Sequence, residues 1–175
     1  IASFDKALEI KPDDRAAWYC RGYALYNLGR VEAAIASFDK ALEIKPDDRA
    51  AWNIRGGALY NLGLFEEALA SFDKALEIKP DYQKAWYCRG YALYKLGLLK
   101  EAIASFDKAL EFKPDLHKAW NNRGIALHNL GLLKEAIASY DKALEFKPDY
   151  HEAWYIRGYA LRKLGRIEEA IASYD

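Results

Sequence analysis

Apolar residues recur along this chain at helical spacing, and the pattern itself repeats every 34 residues. Between 15 and 48, Trp18, Gly22 and Leu25 fall at i, i+4 and i+7, one stripe of a helix, widened by Ala17, Ala24 and Leu28. Gly29 follows the last periodic position, where a glycine closes a helix. A second stripe, Val31, Ala34, Ile35, Phe38, Ala41 and Leu42, predicts a second helix that Pro46 ends. Asp47 is the expected N-cap of the helix after it. Asp149, with Glu152 three residues on, reads as a capping box. No segment alternates as a half-buried strand does. The chain is expected to be all-α.

The repeat is regular in its tryptophans and prolines. All five tryptophans (Trp18, Trp52, Trp86, Trp120, Trp154) and all five prolines (Pro12, Pro46, Pro80, Pro114, Pro148) step by 34. Full units run 15–48, 49–82, 83–116 and 117–150; residues 1–14 are the tail of one more, and 151–175 a shortened last one. One helix pair cannot bury its apolar face alone, whereas stacked antiparallel pairs can, so 1–175 reads as a single array. Gly22, Gly56, Gly90, Gly124 and Gly158 sit inside the first helix of each unit. A mid-helix glycine costs about 1 kcal/mol relative to alanine. Its recurrence predicts a close approach by the second helix, with Trp18 and Phe38 interdigitating with Ala34 and Ala41.

The spacing Trp18, Gly22, Leu25, Ala34, Phe38, Ala41, Pro46 resembles the tetratricopeptide repeat, over essentially the whole chain. One departure is consistent. Three residues after Trp, where the family usually has Leu, stand Arg21, Arg55, Arg89, Arg123 and Arg157. This W-x-x-R-G variant resembles the very regular arrays of cyanobacteria and some archaea. The resemblance implies a right-handed superhelical solenoid whose first helices line a concave groove.

A second repeated charge lies beside the phenylalanine position: Asp5, Asp39, Asp73, Asp107, Asp141 and Asp175. Each arginine is expected to pair with one of these aspartates, its planar fork matched to the carboxylate, and so to set the register of the stack. The competing reading is an anion-binding arginine ladder. Lys/Glu runs such as Lys40–Glu43 read as a solvated convex face.

Charge narrows the partners. With 26 basic and 26 acidic residues the net charge is zero, which argues against nucleic acid or an anionic membrane. No apolar run approaches the roughly 18–20 residues of a membrane span. Cys20 and Cys88 occupy the same place in two units 68 residues apart, beyond disulfide reach in a stacked array, and read as free thiols in a reducing, cytoplasmic setting. A chain that opens at Ile1 and holds no Met reads as a piece of a longer protein.

No catalytic constellation stands out. His117 and His128 are about 16 Å apart along one helix, which is no metal-ligand spacing, and no carboxylate or thiol joins His151 to them. P-loop, dinucleotide and nucleophile-elbow motifs are missing. The chain reads as a non-enzyme without metal or cofactor.

In the family, ligands lie against the exposed face of the first helices. The resemblance carries that face onto Tyr19, Tyr23 and Tyr26, then Asn53 and Tyr60, then Lys84, Tyr87, Tyr91 and Tyr94. It continues with Lys118, Asn121, Asn122 and His128, and ends with Tyr155 and Tyr159. Tyrosine clusters therefore recur every 68 residues, with asparagine-bearing units between. Tyrosine offers large contact area at low entropic cost. Lys84, Lys95, Lys118, His128, Arg162 and Lys163 make the later units more basic. A protein or peptide segment with aromatic or aliphatic anchors and some acidic residues would suit this face. The alternative is a mostly structural aromatic face. The family's clamp for chaperone C-terminal carboxylates is not expected, because Tyr19 and Tyr23 stand where it needs Lys and Asn. Two further readings remain open. One is the targeting segment of a larger enzyme, such as a glycosyltransferase or kinase. The other is head-to-tail self-association, since IASFD at 1–5 matches IASYD at 171–175.

Overall fold

Each unit folds as helix, tight turn, helix. In the computed structural model, which describes residues 1–174, all regular secondary structure is α-helical. Asp175, the last member of the aspartate series, lies outside the described residues. Two compact units divide the chain, Ile1–Ala92 and Leu93–Asp175. The first holds α1 (Ala2–Ile10), α2 (Arg15–Asn27), α3 (Val31–Ile44), α4 (Arg49–Asn61), α5 (Phe65–Ile78) and most of α6 (Gln83–Lys95). The second holds α7 (Leu99–Phe112), α8 (His117–Asn129), α9 (Leu133–Phe146), α10 (His151–Lys163) and α11 (Ile167–Tyr174). In the first unit the hairpins α2–α3 and α4–α5 pack through α3 against α4; in the second, α8–α9 and α10–α11 pack through α9 against α10.

The turn after each first helix needs its glycine. Gly29 has φ +74°, and Gly63, Gly97, Gly131 and Gly165 match it. Arg30 N–H donates to Leu25 O at 2.9 Å and Gly29 N–H to Tyr26 O at 3.0 Å, the paired bonds of a Schellman close. The helix starts differ from expectation. The N-cap of α4 is Asp48, one residue after Asp47; its carboxylate accepts from the N–H groups of Ala50 and Ala51. Asp14 caps α2 in the same way, accepting from the N–H of Ala17. The capping box at Asp149 is absent: Tyr150 is the N-cap of α10 and makes no side-chain cap bond. The cap site is the second residue after proline, and only the Asp-Asp units place a carboxylate there.

The mid-helix glycines are explained by distance. A Cβ on Gly22 would lie 2.7 Å from Phe38, and one on Gly56 2.6 Å from Phe72. The aromatic ring rests on bare backbone. The large residues do not share one layer, however. Phe72 clusters with Leu59, Ala68 and Ala92, whereas Trp52 and Trp86 flank Ala75, Leu76 and Ala85. Each indole also ties down the loop before its helix. Trp52 Nε1 donates to Pro46 O at 2.8 Å, and the other four tryptophans repeat this bond. Tryptophan and proline share a period because they touch.

The arginines pair as expected, with one correction. Arg21 Nε donates to Asp5 Oδ1 at 2.7 Å, Arg55 to Asp39 at 2.5 Å, and Arg89, Arg123 and Arg157 follow with Asp73, Asp107 and Asp141. The fork is not spent on the carboxylate alone. Nη1 of Arg55 donates to Ser71 Oγ at 2.7 Å, and the Ser71 hydroxyl donates on to Glu67 O at 3.0 Å. The guanidinium also lies over its own tryptophan, 5.6 Å from the Trp52 ring centre. One arginine thus joins the preceding hairpin's second helix to its own.

Candidate functional site

The first helices bury one face and turn tyrosines, asparagines and cations outward, and each compact unit carries its own such face. In the first unit Tyr23 is the open member, 49% exposed. Tyr19 leans on Phe38 with ring centres 5.9 Å apart; burial, then the charge of Asp48, raises its hydroxyl pKa. Tyr26 is half-buried and accepts from Asn61 Nδ2 at 2.5 Å. Tyr60, Tyr87 and Tyr91 gather: Tyr60 lies 5.3 Å from Tyr91, which stacks on Tyr87 at 6.4 Å and 11°. Burial, with Tyr91 beside it, pushes the Tyr60 hydroxyl up to about 12. Asn53 is half-buried, its Oδ1 enclosed and unpartnered, and Lys84 is exposed.

In the second unit Tyr94 accepts from Asn129 Nδ2 at 3.0 Å, the Tyr26–Asn61 bond repeated two units on. His128 stacks on Tyr159 at 5.4 Å and 18°. Arg162 and Lys163 both lie 5.2 Å from the Tyr159 ring centre, and Lys163 Nζ is 3.5 Å from His128 Nε2. Burial first, and then Lys163, lowers the His128 pKa. Lys118 is exposed, Asn122 half-buried and Tyr155 65% exposed. Asn121 is buried, 3% exposed, with its Oδ1 unpartnered. The structure therefore brings His128 and Tyr159 together and sets Asn121 beneath the surface. His117 stands apart, edge-on to Tyr150 at 5.2 Å.

A cavity of about 480 Å³ opens in this unit, with Ile125, Ile156 and Tyr140 lining it beside His128, Tyr159 and Lys163. Tyr140 is hard to single out in the sequence because it occupies the core position of Phe38, Phe72 and Phe106. The available signal is the departure itself, a hydroxyl where those units have none.

Among the described residues no group of three or more His, Cys, Asp or Glu could hold a metal ion, and no helix is long and apolar enough to cross a membrane.

Comparisons with known proteins agree with the helix-pair fold. Family models described as tetratricopeptide repeat match residues 16–48, 117–150 and 139–172, and one described as TPR repeat matches 56–97 and 90–131. No curated protein sequence matches the chain significantly. Among solved structures, YrrB, described as a TPR protein with an unusual peptide-binding site, is similar at 27% identity and TM-score 0.80, covering 97% of this chain and 88% of its own. PilW, described as a widely conserved type IV pilus biogenesis factor, is similar at 26% identity and TM-score 0.86, covering 98% and 80%. MamA from Desulfovibrio magneticus, at 23% identity and TM-score 0.85, covers 92% of each chain and shares the fold.

Proposed function

We propose that this chain, which belongs to the tetratricopeptide repeat family, is a protein-interaction scaffold that binds peptide segments on the open faces of its first helices. One observation carries the reading. The repeat fixes its interior almost without change, yet varies the outward positions between tyrosine, asparagine and cation. A purely structural face has no need of that variation. In the first unit the face comprises Tyr19, Tyr23, Tyr26, Asn53, Tyr60, Lys84, Tyr87 and Tyr91; in the second, Tyr94, Lys118, Asn121, Asn122, His128, Tyr155 and Tyr159. Of these, Asn121, 3% exposed, lies beneath the open surface rather than on it. The description of YrrB as a peptide binder favours the same use here. Aromatic and aliphatic anchors would sit on the tyrosines, and acidic residues near Lys118 and Lys163. We assign no chemistry to the chain itself.

Selection of a displayed random-peptide library on the immobilised chain tests this. Recovered sequences should be rich in aromatic or aliphatic residues next to Asp or Glu. Tyr91→Ala and Lys118→Ala should weaken the selected peptides, whereas Lys108→Ala, whose partner is Glu111 on α7, should not. Equal effects from all three would refute the assignment of the face.

A further inference from the structure

At the position of Phe38, Phe72 and Phe106 the chain carries Tyr140. Tyr140 is fully buried, and its hydroxyl has no hydrogen-bond partner. A buried hydroxyl left unpaired costs about 1–3 kcal/mol, and phenylalanine would avoid that cost. Tyr140 is one of the residues lining the cavity of the second unit, and its hydroxyl lies enclosed behind that wall. Lys163, on the same cavity, approaches an imidazole nitrogen and an aromatic face. None of the described residues lining the space is a carboxylate. Ile125 and Ile156 supply apolar walls. Asn129 also lines the space, its amide donating to Tyr94, so the cavity combines one cation, the idle Tyr140 donor and two aliphatic side chains. Burial, then Lys163, lowers the His128 pKa, which disfavours a second cation on that side of the cavity.

We propose that this cavity seats the carboxylate of a glutamate side chain from the bound peptide, with Lys163 as its counter-ion and the Tyr140 hydroxyl as its donor. The proposal rests on the scaffold reading and names one residue the peptide must bring. A glutamate has an unbranched stem to lie on Ile125 and Ile156. A chain terminus would instead bring its own amide N–H into an apolar passage, which is unfavourable. A dianion would meet a single ammonium. Because Tyr140 is enclosed, the half-buried rings of His128 and Tyr159 must part by a rotamer change when the carboxylate enters. Two units earlier the same place holds Phe72 without a hydroxyl, and Tyr60 packs on Tyr91 there. The seat belongs to the second unit.

An amide NMR titration of the intact chain with N-acetylglutamate amide, N-acetylglutamine amide and N-acetylalanine tests the seat. The first compound should give saturable shifts centred on His128, Tyr159 and Lys163, and the other two should not. Tyr140→Phe and Lys163→Gln should each weaken the glutamate compound by about tenfold. Tyr140→Phe restores the residue of the earlier repeats, Phe38, Phe72 and Phe106, so its spectrum should stay that of the folded chain. No saturation, an equal response to the glutamine compound, or unchanged affinity in Tyr140→Phe would overturn the proposal. Saturation by N-acetylalanine alone would overturn the side-chain source in favour of a chain terminus. Since each compound is a single residue, these failures leave the scaffold reading standing, and that reading fails separately on the Tyr91 and Lys118 variants.

Discussion

Arg55 Nε donates to Asp39 Oδ1 at 2.5 Å, across the seam between one helix hairpin and the next. The carboxylate is partly solvated, its side chain 42% exposed, whereas the arginine is 23% exposed. The two ends of this bond therefore differ in what their loss costs. Arg55→Leu removes the donor to Ser71 Oγ, which keeps only its own bond to Glu67 O, and uncovers Trp52, and should destabilise by about 1–3 kcal/mol. Asp39→Asn should cost less than about 1 kcal/mol, because a half-exposed pair is screened by water. Urea unfolding of both variants and of the double variant measures the coupling. If Arg55→Leu left stability unchanged and abolished peptide binding, an anion-binding ladder would replace the structural account.

Two adjacent glycines should respond in opposite directions. Gly56→Ala puts a methyl group 2.6 Å from the buried Phe72 ring, and should destabilise by about 1–3 kcal/mol despite the better helix propensity of alanine. Gly57→Ala meets nothing within 4 Å, and should stabilise by up to about 1 kcal/mol. Thermal melts of the two variants decide this by sign alone.

Tyr140→Phe should raise the melting temperature of the chain, corresponding to about 1 kcal/mol, because it removes an unpaired buried hydroxyl. The same change should weaken the glutamate compound. A gain in stability with a loss of binding is the expected signature of a functional residue held in a core position. A lower melting temperature would mean that the hydroxyl has a partner within the fold.

His117 and His128 both have pKa values lowered by burial, Lys147 adding to the first and Lys163 to the second. A lowered folded-state value means the unfolded chain takes up the proton first. Stability should therefore be complete above the unfolded value of about 6.5 and fall as the pH drops through it toward the folded values. Urea midpoints between about pH 7.5 and 5.5 should decline. His128→Asn should decline less.

The two thiols should differ in reactivity. Burial pushes Cys88 up to about 11, with Lys84 pulling against it, and Cys20 is exposed. Near pH 8 only about one Cys88 in a thousand is thiolate. Iodoacetamide should label Cys20 first in a mass-spectrometric time course, with Cys88 following only in denaturant. Equal rates would place Cys88 in open solvent.

The helical content, the unit length and the turn glycines were legible in the residues, and so was a matched arginine and aspartate series, though not which aspartate each arginine takes. Each follows from local periodicity and turn chemistry, which a short window of sequence contains. The binding face was legible as a set of positions but not as an arrangement. Tyr87 and Tyr91 lie one helical turn apart, so their stacking could be foreseen. The bond from Asn129 to Tyr94 and the contact of Lys163 with His128 join residues 35 apart, where a shift of one rotamer makes or breaks the pair.

By itself the sequence determined that this is an array of helix pairs with a constant interior and a varied exterior, since a 34-residue period with invariant glycine and tryptophan admits no other economical packing. Tertiary structure alone decided which polar atoms meet. It split the forks of Arg21, Arg55, Arg123 and Arg157 between an aspartate and a serine, placed the helix cap at Asp48 instead of Asp47, and enclosed Asn121. It also left the Tyr140 hydroxyl without a partner beside a cavity that holds a lysine. Hydrogen bonds act over about 3 Å and depend on angle, so which ones form is settled only when distant segments have closed on one another.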